Sequence, residues 1–217
     1  MISAESDSRM TVELLAITPG AERLIEEAGR TAYMSFAKRG EGSDRKFIRM
    51  LLKNKHYSVL EHASATFRIS GVSRAATHQL VRHRLCSFTQ QSQRYVNEKD
   101  FQFVEPEKVR KNPEAHAMFL AQMESARKAY AGLQGMGVRN EDARFVLPNA
   151  VESQLVVSAN LRQWRHIIEL RCRAPSQWEI RQVCGEILKL LKKSVPTAFS
   201  DLELDEKGTI AVAMGDD

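Results

Sequence analysis

The chain has 217 residues, 43% of them hydrophobic and 27% charged, with Lys and Arg exceeding Asp and Glu by five. That is enough chain to bury a core, and the balance excludes a disordered polymer. A net charge of +5 is mild and suits an anionic small ligand as well as nucleic acid. No uncharged apolar run approaches the ~20 residues of a membrane helix. The opening MISAESDSRM has no apolar block, so no secretory signal is expected. Three separated cysteines, Cys86, Cys172 and Cys184, make neither a disulfide framework nor a CxxC pair, which suggests a reducing, cytoplasmic setting.

Without a repeat, a low-complexity tract or a Pro/Gly-rich linker, one domain over 1–217 is expected. Thr11 to Thr18 is apolar and β-prone and stops at Pro19-Gly20, a strand. Ala21, Leu24, Ile25, Ala28 and Ala32 follow at helical spacing. Ser43-Asp44 is placed to cap a helix running to about Lys55. Ala63 to Ile69 reads as a strand ended by Ser70-Gly71, and Ser73 as the cap of a helix from Arg74. If Arg82, His83 and Arg84 all meet one ligand, that helix must end near Arg84 and the chain must turn there. Asn112-Pro113 opens a helix to about Leu133. Gln154 to Val157 reads as a strand. Leu161, Trp164 and Ile168 line a helix beginning near Asn160. Ser176 with Glu179 has the form of a capping box, followed by the stripe Ile180, Val183, Cys184, Ile187, Leu188 and Leu191. The result is a single mixed α+β domain with a small sheet and several helices, its last residues from about 200 flexible.

The chemistry concentrates between His62 and Asn97. This stretch holds five arginines (Arg68, Arg74, Arg82, Arg84, Arg94) and three histidines, with no lysine and no acid. Arginine without lysine suits planar recognition of phosphate or carboxylate. Ala75, Gln79, Arg82 and Cys86 fall at helical spacing, so an inward Arg82 calls for a distant carboxylate or a bound anion. Ser87, Thr89, Gln90, Gln91, Ser92 and Gln93 follow, neutral groups able to contact a phosphate and a heterocycle edge.

RHRLCSFTQQSQRY, Arg82 to Tyr95, resembles the signature of flavin-dependent thymidylate synthases: Arg-His-Arg, seven residues, then Ser, here Ser92. His56-Tyr-Ser58-Val-Leu-Glu61-His62 resembles that family's upstream element. Arg144 in ARFVLP, and Asn160-Leu-Arg162 with His166 and Arg171, resemble its downstream ones. The resemblance implies an α+β homotetramer that turns dUMP into dTMP. Methylenetetrahydrofolate would donate the carbon, and NADPH would reduce a bound FAD. It implies that Ser58, Arg82, His83, Arg84, Gln90, Asn160, Arg162 and His166 contact FAD. Gln79, Arg82, Gln90, Gln91, Ser92, Arg94, Arg144 and Arg171 would bind dUMP, some from a neighbouring subunit. Arg171 would polarise the uracil ring, and His56 would lie near flavin and folate. Two departures stand out: many members carry Asn-Glu at Thr89-Gln90 and Asn at His166.

Other classes fit less well. The histidines from His56 to His83 lack the spacing of a zinc hydrolase, so no metal is expected. No GxSxG surrounds Ser92. A basic nucleic-acid-binding module without catalysis is the alternative, but only Phe88 and Tyr95 interleave the arginines. Arg165 and Arg173 read as surface or interface salt bridges.

Overall fold

A computed structural model describes residues 10–210. It contains a four-stranded sheet in the order β1-β2-β4-β3, built from β1 (Thr11–Ile17), β2 (Ser64–Ser73), β3 (Ser87–Gln90) and β4 (Glu152–Asn160). The helices are α1 (Ala21–Thr31), α2 (Ser43–Lys53), α3 (Arg74–Leu80), α4 (Glu107–Arg110), α5 (Pro113–Gly135), α6 (Asn140–Ala143), α7 (Leu161–Arg171) and α8 (Trp178–Ser194). This is the mixed helix and small-sheet class expected. Two compact units can be distinguished: one holds residues 70–79 and 89–155, the other residues 12–69, 80–88 and 156–210.

In the larger unit the core is made by β2, β4, α7 and α8. Ala65, Phe67 and Ile69 are buried while Thr66 and Arg68 are not, the period-two pattern of a half-covered strand. The strand does not end at Ser70-Gly71 as expected. Gly71 takes φ +68°, a conformation open to glycine, and the strand continues to Ser73. β4 likewise extends beyond Gln154 to Val157, with Leu155, Val157 and Ala159 buried. Leu161, Trp164 and Ile168 of α7 are fully buried, as their spacing required. Trp164 meets the Phe67 ring edge-on at 5.0 Å, and its indole Nε1 donates to the Ala65 carbonyl at 3.0 Å. The six-residue stripe of α8 is buried throughout.

The caps show where local chemistry wins and where it is redirected. Asn160 caps α7 by accepting from the Gln163 amide at 2.8 Å, and Asn112 caps α5 by accepting from Glu114 and Ala115. Ser73 accepts from the Ala76 amide at 3.0 Å. Gly42, not Ser43, occupies the cap position of α2; the Ser43 hydroxyl instead donates to Glu26 at 2.9 Å. Gln177 caps α8 in place of Ser176, whose hydroxyl donates to the Leu170 carbonyl. Residues 200–210 are folded, with Leu202 and Ile210 buried and Leu204 bridged to Ile210; positions beyond lie outside the described residues.

The smaller unit centres on α5. Phe101, Met123, Ala126 and Val151 form its apolar cluster, edged by Phe103 and Phe119. Arg127 lies over the Phe101 and Phe103 rings and donates to the Phe101 carbonyl at 2.6 Å. No helix among the described residues is long and apolar enough to cross a membrane.

Candidate functional site

Helix α3 stops at Leu80, four residues before the expected end. The stripe from Ala75 to Cys86 is therefore not one helical face, and Arg82 is exposed rather than turned into the core. The turn after α3 buries His83, at 6% exposure, and leaves Arg82 and Arg84 exposed on either side of it. No carboxylate pairs with either arginine among the described residues, so both retain their charge for an anion. That arrangement fits a pyrophosphate.

Helix α7 supplies the rest of this group. Arg162 and His166 lie one turn apart on its exposed side, opposite the buried stripe. Arg162 Nη1 donates to Glu61 Oε1 at 2.5 Å. His166 meets His83 edge-on, ring centroids 5.9 Å apart. Arg171, half-buried at the end of α7, donates from Nε to His83 Nε2 at 3.0 Å. His83 must then accept at Nε2, which leaves its ring proton on Nδ1. Burial, then the charge of Arg171, then His166, push its pKa down to about 4, so it is neutral at pH 7. The structure thus brings His83, His166 and Arg171 together. Ser58 is exposed in a tight turn spanning Tyr57–His62, and Asn160 uses its side chain as the α7 cap. Cys86 is half-buried near Gln163, and burial pushes its thiol up to about 11.

The smaller unit holds the other group. Gln79 lies half-buried in α3. Gln90 Nε2 donates to Thr77 Oγ1 at 2.9 Å and to Ser153 Oγ at 3.0 Å. The Thr77 hydroxyl gives its one proton to the Arg74 carbonyl at 3.0 Å, so the Gln90 amide fits it as a donor where a glutamate could accept from Thr77 only by breaking that bond. The Gln91 amide donates to the Gln154 carbonyl, and its side chain donates to Glu98 at 3.0 Å. Ser92 Oγ accepts from the Arg94 amide at 3.3 Å. The Arg94 guanidinium sits on Glu141, and Arg144 Nε donates to the Glu141 carbonyl at 3.1 Å.

Several residues around these groups were given no ligand role from the sequence. Glu98 is buried, and desolvation raises its pKa against the Gln91 hydrogen bond and the charge of Arg74. Arg74 is itself pushed down by burial and by Arg144. Glu61 and Glu98 are the two acids that bracket the acid-free run, and each holds a predicted ligand residue, Arg162 and Gln91 respectively. That bracketing was the available signal. Arg165, expected in a surface or interface salt bridge, does pair with Asp201 but from a buried position, 2% exposed, and it also donates to the Ala198 carbonyl. No cluster of three metal-binding side chains occurs among the described residues.

Comparison with known proteins places these residues in context. A family model described as "Thymidylate synthase complementing protein" matches residues 13–197. A flavin-dependent thymidylate synthase of Geobacter sulfurreducens is 42% identical over 200 residues, covering 88% of this chain and 86% of that one. One of Nitratidesulfovibrio vulgaris is 43% identical over 211 residues, covering 87% and 85%. Among solved structures, thymidylate synthase X of Helicobacter pylori, crystallised with FAD and dUMP, superposes with a TM-score of 0.74 at 24% identity, covering 88% of this chain and 98% of that one.

Proposed function

The chain belongs to the flavin-dependent thymidylate synthase family, and from that membership we propose that it converts dUMP to dTMP on a bound FAD. Methylenetetrahydrofolate donates the carbon and NADPH the reducing equivalents. When bound, FAD supplies the hydride chemistry that no side chain can. The non-catalytic nucleic-acid module gives way to this reading.

The chain's own residues bind and orient. Arg82 and Arg84 hold the pyrophosphate of FAD, with Ser58, His83, Gln90, Asn160, Arg162 and His166 as its further contacts. Gln79, Arg82, Gln90, Gln91, Ser92, Arg94, Arg144 and Arg171 hold dUMP. Arg171 directs its cation at the uracil and favours the ring's ionised form. Arg94 and Arg162 exchange part of their carboxylate pairing for the ligands. The chain acts as a single cytoplasmic domain in a homotetramer whose subunits share contacts, so dilution that separates subunits releases FAD with them.

The observation that carries the reading is the pair Arg82 and Arg84, exposed beside His83 with no carboxylate paired to either among the described residues. Calorimetric titration of dUMP into the FAD-loaded protein tests it. Arg171→Ala keeps FAD but weakens dUMP binding by roughly 1.5–3 kcal/mol, the worth of a charge-assisted hydrogen bond. Unchanged affinity would remove Arg171 from the site.

A further inference from the structure

We propose that His83 is a positioning residue, orienting Arg171 through the hydrogen bond that His83 Nε2 accepts from Arg171 Nε. This rests on the reading of Arg171 as the residue directed at the uracil. The two residues are 88 positions apart and their nitrogens 3.0 Å apart, so the contact is made by the fold and not by local sequence.

The need for such a contact follows from the side chain and its place. A free arginine side chain samples many rotamers, and an orientation held in advance spares the entropy of fixing them when a ligand binds. Arg171 is the last residue of α7. His83 is fixed by its own setting. It is buried, its amide donates to the Leu80 carbonyl at 3.1 Å, and the His166 ring stands edge-on behind it.

The chemistry of the acceptor matters as much as its position. Arg162 is held by Glu61 and Arg94 by Glu141, and a carboxylate neutralises the cation that it orients. A neutral imidazole takes the Nε–H and adds no negative charge. The contact itself therefore orients Arg171 without offsetting its charge. The arrangement depends on His83 staying uncharged, and its burial, Arg171 and His166 all oppose protonation. The Nε bond also lies on the stem side of the guanidinium, so it sets the direction of the terminal Nη groups.

Calorimetric titration of dUMP at saturating FAD tests this in a double-mutant cycle of His83→Ala and Arg171→Ala. His83→Ala should weaken dUMP binding about tenfold, a charge-assisted hydrogen bond's usual worth. In the Arg171→Ala background the same change should cost less than about twofold, because nothing remains to be oriented. His83→Gln places an amide oxygen near the position of Nε2 and should restore most of the affinity. It also serves if the alanine variant folds poorly. A full His83 effect without Arg171, or a glutamine variant as weak as alanine, would overturn the inference and leave the role of Arg171 standing. Unchanged affinity in Arg171→Ala alone would instead remove that underlying role, and the inference with it.

Discussion

Glu61 Oε1 and Arg162 Nη1 lie 2.5 Å apart, an ion pair between residues separated by 101 positions. It ties the turn that carries Ser58 to the start of α7. Both side chains are about half exposed, so the pair adds little to stability. Glu61→Gln is expected to change unfolding free energy by less than about 1 kcal/mol. Arg162→Ala should retain less FAD after gel filtration. Wild-type FAD retention in Arg162→Ala would take Arg162 out of the flavin contacts.

The pH dependence of stability has a definite sign. His83 has a folded pKa of about 4, below its unfolded value of about 6.5. Between those values the unfolded chain binds the extra proton, so this group's contribution falls as pH drops from about 6.5 to 4. His83→Gln removes it. Melting temperatures followed across that window should decline less steeply in the variant, and parallel declines would show that His83 is not a buried neutral group.

How much of this was legible in the sequence depended on range. The stripes of α7 and α8 and the caps Asn112 and Ser73 are local signals, and each predicted its element. Gly71 read as a stop because sequence alone does not reveal that its positive φ lets β2 continue. The end of α3 at Leu80 had no Gly or Pro to mark it, so Arg82 was assigned to a helical face it does not occupy. Of the candidate site, Arg82, His83, Arg84 and Ser92 were proposed from one contiguous signature, and Gln90 was marked as a departure from the family. The pairings of Glu61 and Glu141 were not legible, because nothing local says which acid meets an arginine 101 or 47 residues away.

The core makes its own prediction. Trp164 is fully buried, and its indole N–H is satisfied by the Ala65 carbonyl. Trp164→Ala leaves a cavity beside Phe67 and removes the indole donor to the Ala65 carbonyl, and should cost about 3–5 kcal/mol. Urea denaturation checks this; a loss under about 1 kcal/mol would mean that α7 does not anchor the core.

No cysteine is expected to act as a nucleophile. Cys86 is the thiol nearest the Arg82–Arg84 turn in sequence, yet burial pushes its pKa up to about 11, leaving little thiolate at pH 7. Cys172 and Cys184 are buried. Cys86→Ala should retain most dTMP formation, and mass spectrometry of quenched turnover should find no uracil on a thiol. A Cys86–uracil adduct would overturn the mechanism.

The most direct measurement is dTMP formation by protein stripped of flavin and then reconstituted. With dUMP, methylenetetrahydrofolate and NADPH supplied, dTMP should be absent before FAD is added and should appear afterwards in proportion to the FAD bound. Formation of dTMP at an equal rate without flavin, or none from fully loaded protein, would contradict the account.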